Sequence, residues 1–166
     1  MLNLIIGQGE ILVTPLQAAR YISALATGEL INPHVLKKTP IRTHALPLSE
    51  QTLAAVRSML GSVVNHASGT GRNAQLPDVV VGGKTGTAQN PHGNDHAWFV
   101  ALAPVESPSV TVTVLVENGG AGSSVAAPIA HKVLEAYFQY IEPESDPELV
   151  AVRKSATAPA PHPTSR

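Results

Sequence analysis

The residues best suited to chemistry lie in one short run, Gly-Gly-Lys-Thr-Gly-Thr at positions 82–87. The run is predicted to lie on a strand, and a strand that borders a cleft can pair its backbone with an extended peptide. Lys84 supplies a positive charge, and the Thr85 and Thr87 hydroxyls supply donors for a carboxylate. Gly86 leaves room for the peptide, and the Thr87 N–H can stabilise the oxyanion of an acyl transfer. The run therefore predicts a site for an anionic chain end.

The same run also has a purely structural interpretation. Lys84 would then be a solvated lysine on an edge strand, and the glycines would mark a bulge. A match of three residues, Lys-Thr-Gly, recurs by chance in unrelated chains, so the choice between the two interpretations depends on the rest of the sequence.

The rest of the chain supplies context for this run, because further short motifs accompany it in a fixed order. They are Gly7-Gln8-Gly9-Glu10, Val13-Thr14-Pro15-Leu16-Gln17, Ser68-Gly69-Thr70-Gly71, Gly83-Lys84-Thr85-Gly86-Thr87-Ala88 and His96-Ala97-Trp98-Phe99. From about Leu4 to Tyr140 the chain resembles the C-terminal half of the transpeptidase domain of class B penicillin-binding proteins, most closely the elongation type. Lys-Thr-Gly is the third signature of those proteins and of the serine β-lactamases.

The resemblance implies an α+β fold, in part like that of penicillin-binding proteins and serine β-lactamases. Its three C-terminal antiparallel strands would carry flanking helices. In this family an active-site serine attacks a peptide ending in D-Ala-D-Ala, and an amine of a neighbouring peptidoglycan stem resolves the acyl-enzyme. The implied partners are stem peptides and β-lactams, with the cell-wall elongation machinery as a further partner. No cofactor is implied, and the full-length family acts at the outer face of the cytoplasmic membrane or in the periplasm.

The sequence departs from the family in its nucleophile. No serine is followed by a lysine three positions later or by an asparagine two positions later. The chain is therefore predicted to hold a substrate-binding wall, to lack the catalytic serine, and to be inactive by itself. A fragment, a split gene and a non-catalytic penicillin-binding-like module all fit this pattern, as does a fragment of a β-lactamase-like hydrolase.

The remaining polar candidates are weaker. His92, Asp95 and His96 have a spacing suited to a metal, but the neighbouring proline and glycine disfavour the helix that would present them together. We expect a polar loop at the rim of a cleft, and no metal site. Gln8 and Glu10 precede a helix, so they are interpreted as turn and cap residues rather than as an acid–base pair.

Two helices are predicted before the Lys-Thr-Gly run. The first begins at the cap Thr14 and ends at Gly28, with an apolar stripe of Leu16, Ala19, Ile22 and Leu25. The second begins at Ser49, with a stripe of Leu53, Val56, Leu60, Val63 and Ala67. Between them, prolines favour extended or looped chain, and one short strand is expected around His34 to Lys38.

Three strands and a helix are predicted after the second helix. The strands run from Val79 to Thr87, from Ala97 to Ala103 and from Val110 to Glu117. The last two should form a hairpin, because the segment between them is too short for a crossover helix. A helix follows from Ser124 to Ile141, with Pro128 near its start and a stripe of Ile129, Val133, Ala136 and Tyr137.

Composition and charge limit the classes of protein and partner that the chain fits. Of the 166 residues, 43% are hydrophobic and 14% are charged, the net charge is −1, and there is no cysteine. The scattered basic residues make nucleic acid an unexpected partner, and no apolar run approaches the roughly 18–20 residues of a membrane span. We expect residues 1–142 to form the transpeptidase portion and residues 143–166, rich in proline and alanine, to be a disordered tail.

Overall fold

The computed structural model describes residues 7–9, 11–36 and 40–141. The elements in chain order are α1 (Pro15–Thr27), β1 (Glu29–Ile31), β2 (Thr43–Ala45), α2 (Glu50–Asn65), a 3₁₀ turn (Arg72–Ala74), β3 (Gly82–Ala88), β4 (His96–Ala103), β5 (Val110–Val116) and α3 (Ala126–Ala136). A π-helical turn, Tyr137–Ile141, follows α3. The predicted tail lies outside the described residues. No helix of the described part is long and apolar enough to cross a membrane.

The ends of α1 are those that the sequence predicted. The Thr14 hydroxyl accepts from Gln17 N at 3.2 Å, and Gln17 Oε1 accepts from Thr14 N at 2.8 Å. This reciprocal pair is a capping box. Gly28 ends the helix in the left-handed region at φ 78°, and its N–H bonds to Ala24 O. The predicted stripe is correct at Ile22, which is buried, but wrong at Leu16, which is 60% exposed.

The apolar stripe predicted for α2 is only partly correct. Leu53 is buried, but Ala67 is exposed because the helix ends at Asn65. The buried face also contains Arg57, whose guanidinium donates to Ala26 O at 3.2 Å and pairs with the Glu50 carboxylate. Periodicity could not reveal this, since an arginine is buried only where partners elsewhere in the fold satisfy its charge.

The expected strand around His34 is wrong. Residues 34–36 are not in a strand, and Lys37 and Lys38 lie outside the described residues. A two-stranded antiparallel sheet forms on either side of that segment instead, with Glu29 opposite Ala45 and Ile31 opposite Thr43. β1 ends just before Pro33 because proline has no N–H for a strand ladder.

Strands β3, β4 and β5 form an antiparallel sheet in that order, as predicted. Gly86 lies opposite Trp98, and Phe99 lies opposite Val114. Phe99 and Leu102 of the central strand are fully buried, and their positions in the strand place them on opposite faces. On the Leu102 face the core is completed by Ile22 and Ala26 of α1. β3 begins at Gly82, three residues later than predicted, because Val80 O accepts from Val105 N outside the strand ladder.

The last helix has a different buried face from the predicted one. Ile129 is 41% exposed and Val133 is 47% exposed, so the predicted stripe is wrong. The buried residues are mostly small: Ala126, Ala127, Ala130 and Leu134. Alanine allows close packing although its own apolar area is small, and a search for bulky apolar residues passes over such a face. The chain divides into two compact units after Leu134, and the described part of the second unit is residues 135–141.

Candidate functional site

Among the described residues, β3 is an edge strand of its sheet. One edge of β3 pairs with β4, and the other edge pairs with no strand. The N–H and C=O of a strand residue point to the same side, and the side alternates from residue to residue. Thr87 O and Gln89 N are both bonded to Gln8 rather than to β4. The backbone groups of Thr85 and Thr87 therefore face the free edge.

The entry to β3 is fixed by the end of α2. Asn65 Nδ2 donates to Val81 O at 2.8 Å and to Gly61 O at 2.8 Å, which ties the last turn of the helix to the residue before the strand. Val81 is fully buried. Contacts on the N-terminal side of the Lys-Thr-Gly run thus help to fix its position.

Lys84 is exposed and lies along the free edge of β3. Its Nζ donates to Thr85 O at 2.9 Å. Lys84 forms no ion pair with a carboxylate of the described residues. The ion pair within that part of the chain joins Arg57 and Glu50. The ammonium group retains donors and an uncompensated charge for an anionic ligand.

The Thr85 hydroxyl meets the loop that follows α2. Thr70 Oγ1 lies 3.1 Å from Thr85 Oγ1. The loop turns tightly, because Gly71 N donates to Val63 O at 2.9 Å and a Cβ on Gly69 would lie 2.3 Å from that same oxygen. The Ser-Gly-Thr-Gly motif therefore places a second hydroxyl beside the Lys-Thr-Gly run, a contact that the sequence did not predict.

The Thr87 side chain contacts the segment between β5 and α3. Its Oγ1 accepts from Gly122 N at 3.4 Å. A Cβ on Gly122 would lie 2.2 Å from Trp98 O and 2.3 Å from Gly86 O, so this segment lies directly against the β3–β4 backbone. Because the hydroxyl accepts this bond, its own proton stays available for a ligand. The Thr87 N–H points to the free edge, as the predicted oxyanion donor must.

Gly86 has a structural reason to be glycine. It lies opposite Trp98, and a Cβ at position 86 would lie 3.0 Å from the Trp98 Cβ. Such a contact is tighter than ordinary van der Waals packing and would shift the tryptophan or the strand. The proposed role of Gly86 in leaving room for a peptide stays a prediction beside this packing role.

Gln8 contacts β3 through its side-chain amide, although the sequence predicted no site role for Gln8. Its Nε2 donates to Thr87 O at 2.8 Å, and its Oε1 accepts from Gln89 N at 3.3 Å. The sequence interpretation of Gln8 as a turn residue missed this contact, which joins positions about 80 apart in the chain. The flanking glycines were the available signal, since paired glycines allow backbone conformations that other residues rarely adopt. Glu10 lies outside the described residues.

The His92–His96 segment forms a hydrogen-bonded polar loop. His96 Nδ1 accepts from Asn118 N at 2.9 Å, and Asn90 Nδ2 donates to Asn118 Oδ1 at 2.8 Å. Gly120 N donates to Asp95 O at 2.8 Å, which joins this loop to the segment after β5. In the part of the chain that the structure describes, no three His, Cys, Asp or Glu residues are grouped to hold a metal ion.

Comparison with known proteins identifies a family and several relatives. The family model for the penicillin binding protein transpeptidase domain matches residues 3–135. The peptidoglycan D,D-transpeptidase MrdA of Haemophilus influenzae is 36% identical over an alignment of 178 positions, and the alignment covers 90% of this chain and 27% of that protein. PbpA of Mycobacterium tuberculosis, also a peptidoglycan D,D-transpeptidase, is 34% identical over an alignment of 154 positions, and the alignment covers 81% of this chain and 31% of that protein. The chain thus spans about a quarter to a third of these relatives.

Solved structures confirm the predicted fold. The penicillin-binding protein PBP2 of Helicobacter pylori matches with a TM-score of 0.73 at 33% identity, covering 84% of this chain and 27% of that one. Penicillin-binding protein A of M. tuberculosis, solved as a ceftriaxone acyl-enzyme complex, matches with a TM-score of 0.71 at 30% identity. That match covers 79% of this chain and 34% of the other. The likeness extends over most of the chain.

Proposed function

Since the chain belongs to the family of penicillin-binding protein transpeptidase domains, we propose that it supplies the substrate-binding wall of a peptidoglycan D,D-transpeptidase. The observation that carries the proposal is the free edge of β3, where the Lys84 ammonium has no ion-pair partner among the described residues and donates to Thr85 O, and where Thr85 and Thr87 carry hydroxyls. A charge with adjacent hydroxyl donors suits a terminal carboxylate. The substrate class is accordingly a peptide that ends in D-Ala-D-Ala, and β-lactams bind in its place.

The proposed chemistry divides between this chain and a serine that its 166 residues do not present in a Ser-x-x-Lys motif. The donor peptide pairs with the edge of β3, its carboxylate meets Lys84 and the hydroxyls, and its penultimate carbonyl oxygen accepts from Thr87 N–H. The serine oxygen then bonds to the carbonyl carbon, the peptide C–N bond breaks, and D-Ala leaves with the proton on its amine. An amine of a neighbouring stem peptide displaces the serine and forms the cross-link.

The cellular role and location that we propose are inferred from the same relatives. We propose that the protein acts in cell-wall elongation, outside the cytoplasm, and that the portion described by the family model works as one structural part of the transpeptidase domain. Support for the elongation assignment comes from the complex between PBP2 and MreC of H. pylori, in which PBP2 matches this chain with a TM-score of 0.70 at 34% identity. The corresponding partner of this protein would be a component of the elongation machinery.

A non-catalytic penicillin-binding module is the second candidate function. It is favoured by one observation, the lack of Ser-x-x-Lys and Ser-x-Asn motifs among the 166 residues. Such a module would bind D-Ala-D-Ala peptides through β3 and would form no covalent adduct with penicillin, even when a nucleophile segment is supplied. Acylation in a complete domain separates the two functions.

The test uses a joined enzyme, in which this chain follows the part of H. influenzae MrdA that precedes the matched segment. In that enzyme Lys84→Ala should lower the second-order rate constant of penicillin acylation by about tenfold to a hundredfold, because a charge-assisted hydrogen bond contributes about 1.5–3 kcal/mol. The melting temperature should hardly change, since Lys84 is exposed. Stopped-flow acylation and thermal unfolding are measured on the same samples.

The matched control is Lys132→Ala, which removes an exposed lysine from α3. It should leave the acylation rate unchanged. Normal acylation of the Lys84→Ala enzyme would remove Lys84 from the site and would leave the lysine with the structural role of an edge-strand charge.

A further inference from the structure

The side-chain amide of Gln8 pairs with the free edge of β3. Its Nε2 donates to Thr87 O at 2.8 Å, and its Oε1 accepts from Gln89 N at 3.3 Å. One amide group thus satisfies the carbonyl of a β3 residue and the N–H of the residue that follows the strand, two positions later. A residue of a parallel neighbouring strand makes bonds of this kind, so the Gln8 side chain takes the place of one such residue.

The backbone on either side of Gln8 is shaped by glycine. Gly7 has φ 76° and Gly9 has φ 114°, both in the region that L-residues rarely adopt. Gln8 itself is half-buried. The Gly-Gln-Gly motif therefore holds a turn whose central side chain lies against β3, a role that neither helix capping nor the carboxylate site explains.

The position of this contact matters for a peptide that docks on β3. An antiparallel peptide residue whose carbonyl accepts from Thr87 N–H also donates its own N–H to Thr87 O, because a hydrogen-bonded pair exchanges both bonds. Gln8 already donates to that oxygen. The neighbouring edge carbonyl, Thr85 O, is likewise covered by Lys84 Nζ at 2.9 Å. The edge thus meets the peptide with its acceptors already engaged by the chain itself.

We infer that Gln8 is an internal competitor of the donor peptide, a latch that occupies Thr87 O until the incoming peptide N–H replaces it. The inference rests on the proposed function, since it takes β3 as the edge on which the donor docks. When Gln8 is displaced, its amide returns to water and the Gln89 N–H loses its partner. The binding free energy of the donor peptide therefore contains only the difference between its own hydrogen bond and the one that it replaces.

The test is Gln8→Met in the joined enzyme, because methionine has a similar length and lacks the amide donor and acceptor. With a peptide ending in D-Ala-D-Ala as the donor, the KM should fall roughly twofold to tenfold, the range expected for the net effect of one hydrogen bond. Release of D-Ala at varied donor concentration measures it. Gln51→Met makes the same chemical change at an exposed position of α2 and should leave KM unchanged. An equal or higher KM in the Gln8→Met enzyme would overturn the latch.

A second readout needs no catalysis. In the 166-residue chain, amide exchange at Gln89 should accelerate in Gln8→Met, because its N–H loses the Gln8 Oε1 acceptor. An unchanged exchange rate at Gln89 would show that Gln8 does not bond to this edge. That result would overturn the latch whatever the KM of the joined enzyme. The proposed function fails separately, if the unsubstituted joined enzyme neither releases D-Ala nor forms a penicillin adduct.

Discussion

Single side chains of the sheet differ sharply in how well their polar groups are satisfied. Lys84, Thr85 and Thr87 each have a hydrogen-bond partner, and Lys84 and Thr87 also keep a donor for a ligand. Thr113 Oγ1 is instead buried with no hydrogen-bond partner among the described residues. A buried hydroxyl without a partner costs about 1–3 kcal/mol of stability, because water no longer bonds to it.

Thr113→Val should therefore stabilise the chain by about 1 kcal/mol, since valine has nearly the same shape and no hydroxyl to satisfy. Chemical denaturation monitored by circular dichroism gives the free energy of unfolding. Thr111→Val is the matched control on the same face of β5, and its hydroxyl is not among the buried unsatisfied groups. A Thr113→Val chain less stable than the Thr111→Val chain would show that the Thr113 hydroxyl has a partner.

The sequence indicated candidate site residues that lie together on one strand, and it missed the residues that contact them from elsewhere in the fold. Lys84 and Thr87 follow from a motif on one strand, whose alternation and charge are readable from neighbouring residues. Thr70 and Gly122 contact that strand from 15 and 35 positions away. Such contacts depend on how α2 and the β5–α3 segment pack, and no local pattern encodes that. The roles of Lys84 and its neighbours in binding stay predictions, which the acylation experiments address.

Among the elements, strand order was predictable and helix faces were not. The β4–β5 hairpin followed from a connection too short for a crossover helix, and the antiparallel arrangement of all three strands was implied by the family resemblance. The buried face of α3 was missed because it consists largely of alanines, while the bulkier Ile129 and Val133 are partly exposed. Small side chains let backbone segments approach closely, and the segment before α3 does so at Gly122.

Gly122→Ala should destabilise the chain by about 3 kcal/mol, because the new Cβ would overlap backbone oxygens that cannot move without distorting two strands. The Gly122 N–H to Thr87 hydroxyl bond should weaken with it. Urea unfolding measures the first effect. Gly120→Ala is the control, since a Cβ there meets nothing within 4 Å and only its φ of 85° is unfavourable. It should cost about 1 kcal/mol, and an equal cost for both variants would argue against the close approach at Gly122.

At the scale of the whole molecule, the described residues form a sheet with helices that matches about a third of a solved penicillin-binding protein chain. Its free β3 edge carries the groups that bind substrate in our proposal, and no serine of the 166 residues has a lysine three positions later. We therefore propose a division of roles, in which this chain binds the donor peptide and another segment supplies the nucleophile.

Intact-mass spectrometry after incubation with penicillin tests this division most directly. The 166-residue chain alone should show no mass increase, because no serine in it has the activating Ser-x-x-Lys arrangement. The joined enzyme should gain the mass of one penicillin, and peptide mapping should place the adduct outside this chain. An adduct on any serine of the isolated chain would contradict the account, as would a folded joined enzyme that stays unmodified.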